Sequence, residues 1–143
     1  YSAPTSNHWK IVSFNNNVYF FQRGQVPLKQ TNGIGDLAVL AHGNNDAPLT
    51  NEVLTAFGRL WTADNTTDKY TVRFSNLGGD DFHVAGGSNA GILDLTKVWA
   101  SDEIVALAEF NGSLVIFGLA QRKTKDASRI GTSDTELQET IQR

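Results

Sequence analysis

Ile104-Val105-Ala106-Leu107-Ala108-Glu109-Phe110, then Asn111-Gly112, then Ser113-Leu114-Val115-Ile116-Phe117, is the stretch that decides the fold. Asn-Gly between two β-prone runs is the strongest short hairpin signal, because a tight two-residue turn needs left-handed backbone that Asn and Gly tolerate. The same design recurs upstream. Trp9-Lys10-Ile11-Val12-Ser13-Phe14 and Val18-Tyr19-Phe20-Phe21 flank a three-Asn turn, Asn15 to Asn17. Val53 to Phe57 and Leu60 to Ala63 flank Gly58-Arg59. Asp64 to Asp68 then reads as a turn before a further strand, Tyr70 to Ser75.

The three hairpins align. Phe14, Phe57 and Phe110 each precede a turn, at intervals of 43 and 53 residues, and an aliphatic-plus-bulky pair follows each turn. A period of roughly 40–50 residues in an all-β chain predicts propeller-like antiparallel blades, each needing neighbours to bury its faces. Unrelated hairpins in a sandwich or barrel give the same local pattern. The connections 30–36, 42–48, 75–81 and 86–91 are rich in Gly, Asn and Asp and read as loops. They contain neither a Walker-type phosphate loop nor the strand–GxGxxG–helix context of dinucleotide binding.

Charge divides the chain. Residues 119–143 hold nine charged side chains and residues 1–118 hold eighteen, so we place a β-rich body at 1–118 and a polar segment at 119–143. Ser133-Asp134-Thr135-Glu136 is a capping box, and Leu137 and Ile141 lie four apart behind it, which predicts a short C-terminal helix.

Composition removes several classes of function. With 143 residues the chain has room for about one ordinary domain. It has no Cys, which excludes disulfides, Cys-ligated zinc, iron–sulfur clusters and a Cys nucleophile. A net charge of −3 argues against a binder that works by neutralising nucleic-acid phosphates. No apolar run approaches the roughly 20 residues of a membrane-spanning helix, and the start is not signal-peptide-like. Three blades are fewer than the four or more that close a propeller. The absence of Met and the short final helix agree with that shortfall, and we expect a piece of a larger ring-forming protein.

Each catalytic or binding candidate in the sequence has a plainer structural role beside it. His8, His42 and His83 lie in separate segments, and no spacing forces them to meet Asp46, Asp80 or Asp81 at a metal. Asp80-Asp81-x-His83 is the best local cation candidate, against a polar turn leading into a Phe82-His83-Val84 strand. Asp64 with Asp68 could supply the paired carboxylates of a glycosidase, against ordinary turn aspartates. Asp102 and Glu103, as strand neighbours, point to opposite faces and cannot act together. Trp61, Trp99, Tyr19 and Tyr70 could stack on sugars or bases, but strand aromatics more often pack in cores. Arg23, Lys29, Arg59 and Arg73 are scattered and form no nucleic-acid groove. No catalytic, cofactor-binding or metal-binding residue is assigned, no cofactor is expected, and the chain reads as a non-enzyme.

Three stretches taken together resemble a known family. They are Phe14 to Gly24 with Pro27-Leu28, Ala56 to Asp64 with Thr71 to Ser75, and Gly91 to Trp99 with Asp102 to Leu107 leading into Phe110 to Gly118. Residues 9–118 resemble the tail tubular protein B, or tail nozzle, of short-tailed bacteriophages. The resemblance implies a structural virion protein of the tail, propeller-bearing and assembled as a homo-oligomer of six copies. It implies a tail adaptor protein on one side, tail fibres or spikes on the other, and genomic DNA passing through without specific binding or membrane insertion. A mildly acidic wall would let a duplex slide past. The alternatives are a carbohydrate-binding or receptor-adhesin module using Trp61 or Trp99 and, less favoured, a glycoside hydrolase fragment using Asp64 and Asp68.

Overall fold

A computed structural model describes residues 8–43, 47–85, 87–99 and 103–119. The capping box at Ser133–Glu136, the polar segment from 120 onward, Asp46, Asp102 and the side chain of Trp99 lie outside the described residues. The body is all-β and antiparallel, as the strand-and-turn composition predicts.

Strands β1 (Lys10–Phe14), β2 (Asn17–Phe21), β3 (Leu28–Gln30) and β4 (Ala38–Val39) form a first sheet in simple meander order. A single 3-10 turn, Thr31–Gly33, sits between β3 and β4. The second sheet repeats the meander with β5 (Thr50–Ala56), β6 (Arg59–Asn65), β7 (Thr71–Phe74) and β8 (Gly91–Asp94). One helical turn, α1 (Thr96–Trp99), leads to β9 (Glu103–Phe110) and β10 (Ser113–Leu119), a two-stranded third sheet among the described residues.

The turns correct the sequence reading in two hairpins. The first turn is Asn15-Asn16, both at positive φ, and Asn17 already pairs with Phe14 in the sheet. The second is Phe57-Gly58 rather than Gly58-Arg59, with φ of 52° and 68°. Phe57 therefore occupies a left-handed position that costs an ordinary residue roughly 1–2 kcal/mol. Its ring meets the Trp61 indole edge-on at 6.4 Å between centroids, which offsets part of that cost. The third turn, Asn111-Gly112, stands as expected. The residue equivalent to Phe14 and Phe110 is thus Ala56, because Phe14↔Asn17, Ala56↔Arg59 and Phe110↔Ser113 are the pairs that close the hairpins.

Counting from those closing pairs makes the three hairpins superimpose position by position. Val12, Leu54 and Ala108 correspond, as do Tyr19, Trp61 and Val115, and Phe21, Ala63 and Phe117. The core follows this order. Phe14, Tyr19 and Phe21 of the first sheet pack with Val53 and Leu60 of the second, joined by Leu40 and Phe82 from loops. On the opposite face of the second sheet, Ala63, Val72, Leu54 and Trp61 pack with Ile104, Leu107 and Ile116 of the third. Strand alternation explains the division, since Leu60 and Trp61 are neighbours on opposite faces. The second sheet lies between the other two, and all three present corresponding faces in the same direction.

A β-bulge tunes the second junction. Ala106 pairs with Phe117 and Ile104 with Gly118, so Val105 is the extra residue of β9. One inserted residue reverses the alternation. Ile104 and Leu107, which a regular strand would send to opposite faces, are therefore both buried against the second sheet.

Two further readings fail. Asp64 and Asn65 belong to β6, so no turn runs from Asp64 to Asp68, although Asp64 itself has φ 55°. Phe82-His83-Val84 is not a strand. Its backbone follows side-chain hydrogen bonds instead: Asn76 accepts from the Asp81 N–H at 3.1 Å, and Asp81 accepts from the His83 N–H at 2.9 Å.

Candidate functional site

The strongest convergence of polar side chains surrounds Asp80. The carboxylate, on the loop between β7 and β8, reaches back to the first sheet. The Tyr19 hydroxyl of β2 donates to it at 2.8 Å. Lys29 Nζ of β3 lies 2.7 Å away, and His42 Nε2, just beyond β4, lies 2.8 Å from the other carboxylate oxygen. Register explains why these groups meet. Tyr19 and Lys29 are directly paired on adjacent strands, so both side chains leave the same face, and the Lys29 ammonium sits 5.7 Å from the centre of the Tyr19 ring. The phenol body packs in the core while its hydroxyl turns to the loop.

Electrostatics hold the node in one protonation state. Burial raises the Tyr19 hydroxyl, and the hydrogen bond to Asp80 raises it further, well above the usual phenol range. Burial alone would raise the Asp80 carboxyl as well. Hydrogen bonds from Lys29 and Tyr19, with the charges of Lys29 and His42, outweigh burial and hold it below the usual carboxylate range. The node is a neutral phenol and a carboxylate fed by three donors. Such a carboxylate is a weak nucleophile and a weak base, and its evident effect is to tie the β7–β8 loop to the first sheet.

The sequence candidates are placed as follows. Asp80 and Asp81 diverge, Asp80 to the first sheet and Asp81 to the His83 N–H, so the Asp80-Asp81-x-His83 cation site does not form. Among the described residues no group of three His, Asp or Glu side chains could hold a metal ion. His8 is exposed. The Asp64 carboxylate is buried and paired with Arg23, whereas Asp68 offers its backbone carbonyl to the Thr71 hydroxyl. Glu103 pairs with Lys69 at 3.0 Å. The meeting of His42 and Lys29 with Asp80 has no local signal in the sequence, because the three residues are far apart along the chain.

Trp61 is not a free platform. Its ring is tilted against Phe74 at 4.9 Å, its Nε1–H donates to the Ala56 carbonyl at 2.9 Å, and it packs against the third sheet. Arg59 closes this aromatic group. Its guanidinium lies 5.1 Å from the Phe74 ring centre and donates to the carbonyls of Ser75 and Asn89.

The remaining unusual surfaces are the two outer faces of the stack. On the first sheet Ile11, Phe20, Leu28 and Val39 are directly paired in sequence across all four strands; Ile11 and Val39 are exposed, Phe20 is half-buried and Leu28 is buried. On the third, Phe110, Val115 and Phe117 share the face turned away from the second sheet, with Phe110 73% and Phe117 49% exposed. Among the described residues no helix is long and apolar enough to cross a membrane. No protein-family model matches the chain, and neither curated proteins nor solved structures give a match.

Proposed function

We propose that the chain is a structural β-propeller component of a ring-forming assembly, and that the assembly is the tail nozzle of a short-tailed bacteriophage. One observation carries the architectural half of this reading. Three antiparallel sheets repeat the same closing pairs and stack with corresponding faces turned the same way, as blades do around an axis. The resemblance of residues 9–118 to the nozzle family supplies the virion half. In this reading the chain is a non-enzymatic subunit, present in six copies, that joins the adaptor ring to fibres or spikes and lines the channel through which the genome leaves. The net charge of −3 suits a wall that does not retain phosphates.

The test is assembly. Mass photometry and electron-microscope class averages should show sixfold rings with an open centre that dock on the tail adaptor ring. A protein that stays monomeric with the adaptor ring present overturns the nozzle reading. So does glycoside turnover lost on Asp64→Asn, or glycan binding lost on Trp61→Ala.

A further inference from the structure

We infer that the outer face of the third sheet docks, head to tail, on the outer face of the first sheet of a second copy of this chain. The inference rests on the propeller-like reading of the stack but not on a role in a virion. Its warrant is the position-by-position equivalence of the hairpins. The face of the first sheet that meets the second presents Phe14, Tyr19 and Phe21. Their equivalents in the third sheet are Phe110, Val115 and Phe117, which have no sheet against them among the described residues. Conversely, the second sheet receives the first on Val53 and Leu60. Their equivalents in the first sheet are Ile11 and Val18, on its outer face. The two ends of the stack are therefore the two halves of a junction that the chain already builds within itself.

The chemistry of the faces agrees. Among the described strand residues of the two outer faces, Glu103 at the start of β9, opposite Leu119, is the one charged side chain, and Lys69 pairs with it. The lysines of β1 and β3 lie on the inner face of the first sheet, and Glu109 of β9 lies on the inner face of the third. Ile11 and Val39 remain 55% and 49% exposed, beside the exposed Phe110 and Phe117. Contiguous apolar sheet faces of this kind mark association surfaces. Because unlike faces meet, the contact is heterologous and continues into a closed ring or a filament, whereas like faces would stop at a twofold dimer.

Two substitutions at exposed positions test the contact, Ile11→Asp on the first sheet and Phe117→Asp on the third. Val39→Asp and Phe110→Asp serve as second variants should either fail to fold, with far-ultraviolet circular dichroism as the check. By sedimentation velocity, the wild type should form concentration-dependent species of two or more copies, two being enough where three blades from each close a six-bladed ring. Either variant alone should associate at least about tenfold more weakly, because a charge must be buried in an apolar junction. An equimolar mixture of the two variants should form a complex of two copies and stop there, since each retains one intact face.

Three results overturn the inference: a monomeric wild type at high micromolar concentration, self-association that survives one substitution alone, or a mixture that does not pair. Sixfold rings insensitive to both substitutions would sink this contact and leave the nozzle reading standing. Head-to-tail pairing without sixfold rings would do the reverse.

Discussion

The hydroxyl of Tyr19 donates to the carboxylate of Asp80 at 2.8 Å, across 61 residues of chain, and so joins the interior of the first sheet to the loop that leaves the second. Tyr19→Phe keeps the ring in the core and removes only this donor. We expect a loss of about 1–2 kcal/mol in urea denaturation. Asp80→Ala, which leaves Tyr19, Lys29 and His42 without their shared acceptor, should cost more, about 2–3 kcal/mol.

Acid should weaken the same node. The Asp80 carboxyl is held below its ordinary value in the folded chain. Its contribution is therefore fully present above the unfolded value of about 3.9 and is lost as pH falls through the lower folded value. The urea midpoint should fall below about pH 4. Asp80→Asn should be less stable at neutral pH and show a flatter acid limb. An unchanged acid limb in Asp80→Asn would remove the node from the account.

Alkali acts on Tyr19. Its hydroxyl is raised from 10.0, so the folded chain favours the neutral phenol. That contribution is complete below about pH 10 and fades as pH rises toward the folded value. Tyr19→Phe should lose less stability than the wild type between about pH 10 and 11, measured by chemical denaturation.

Gly91 is required by Phe74. The two are directly paired on β8 and β7, and a Cβ on Gly91 would stand 2.3 Å from the tip of the Phe74 ring. Trp61 and Arg59 hold that ring from its other sides. Gly91→Ala should cost about 1–3 kcal/mol by overpacking. Adding Phe74→Leu should recover part of the loss, a non-additivity readable from the double-mutant cycle.

Two turn glycines separate backbone strain from steric conflict. Gly58 and Gly112 have φ of 68° and 75°. A Cβ on Gly58 would meet Leu77 at 3.1 Å, while one on Gly112 meets nothing within 4 Å. Both Ala substitutions should destabilise by about 1–2 kcal/mol through the left-handed backbone. The loss at Gly58 should be the larger, read from the urea midpoints of the two variants.

Local chemistry made the hairpins legible, and its failures have local causes. Asn111-Gly112 names its own turn because both residues accept positive φ. Phe57-Gly58 does not, because an aromatic is a poor residue for that position, and the Trp61 contact that rewards it is invisible in a linear reading. Asp64 sits within a strand, although an aspartate followed by Asn and two Thr has the composition of a turn. The Asp80 node was beyond reach for a different reason. Tyr19, Lys29, His42 and Asp80 are brought together by register and by the stacking of the second sheet on the first, neither of which leaves a mark in residue spacing.

The extra residue Val105 has a further consequence. It turns Ile104 toward Ala63, the small equivalent of Phe21 and Phe117, so the second junction is built from a small residue met by a large one. The first junction has the aromatic Phe21 at the corresponding place. The sheets are thus keyed rather than interchangeable modules. A chain that shuffled or duplicated them would leave a hole at one joint and a collision at the next, and the order of the hairpins is written into the sizes of their side chains.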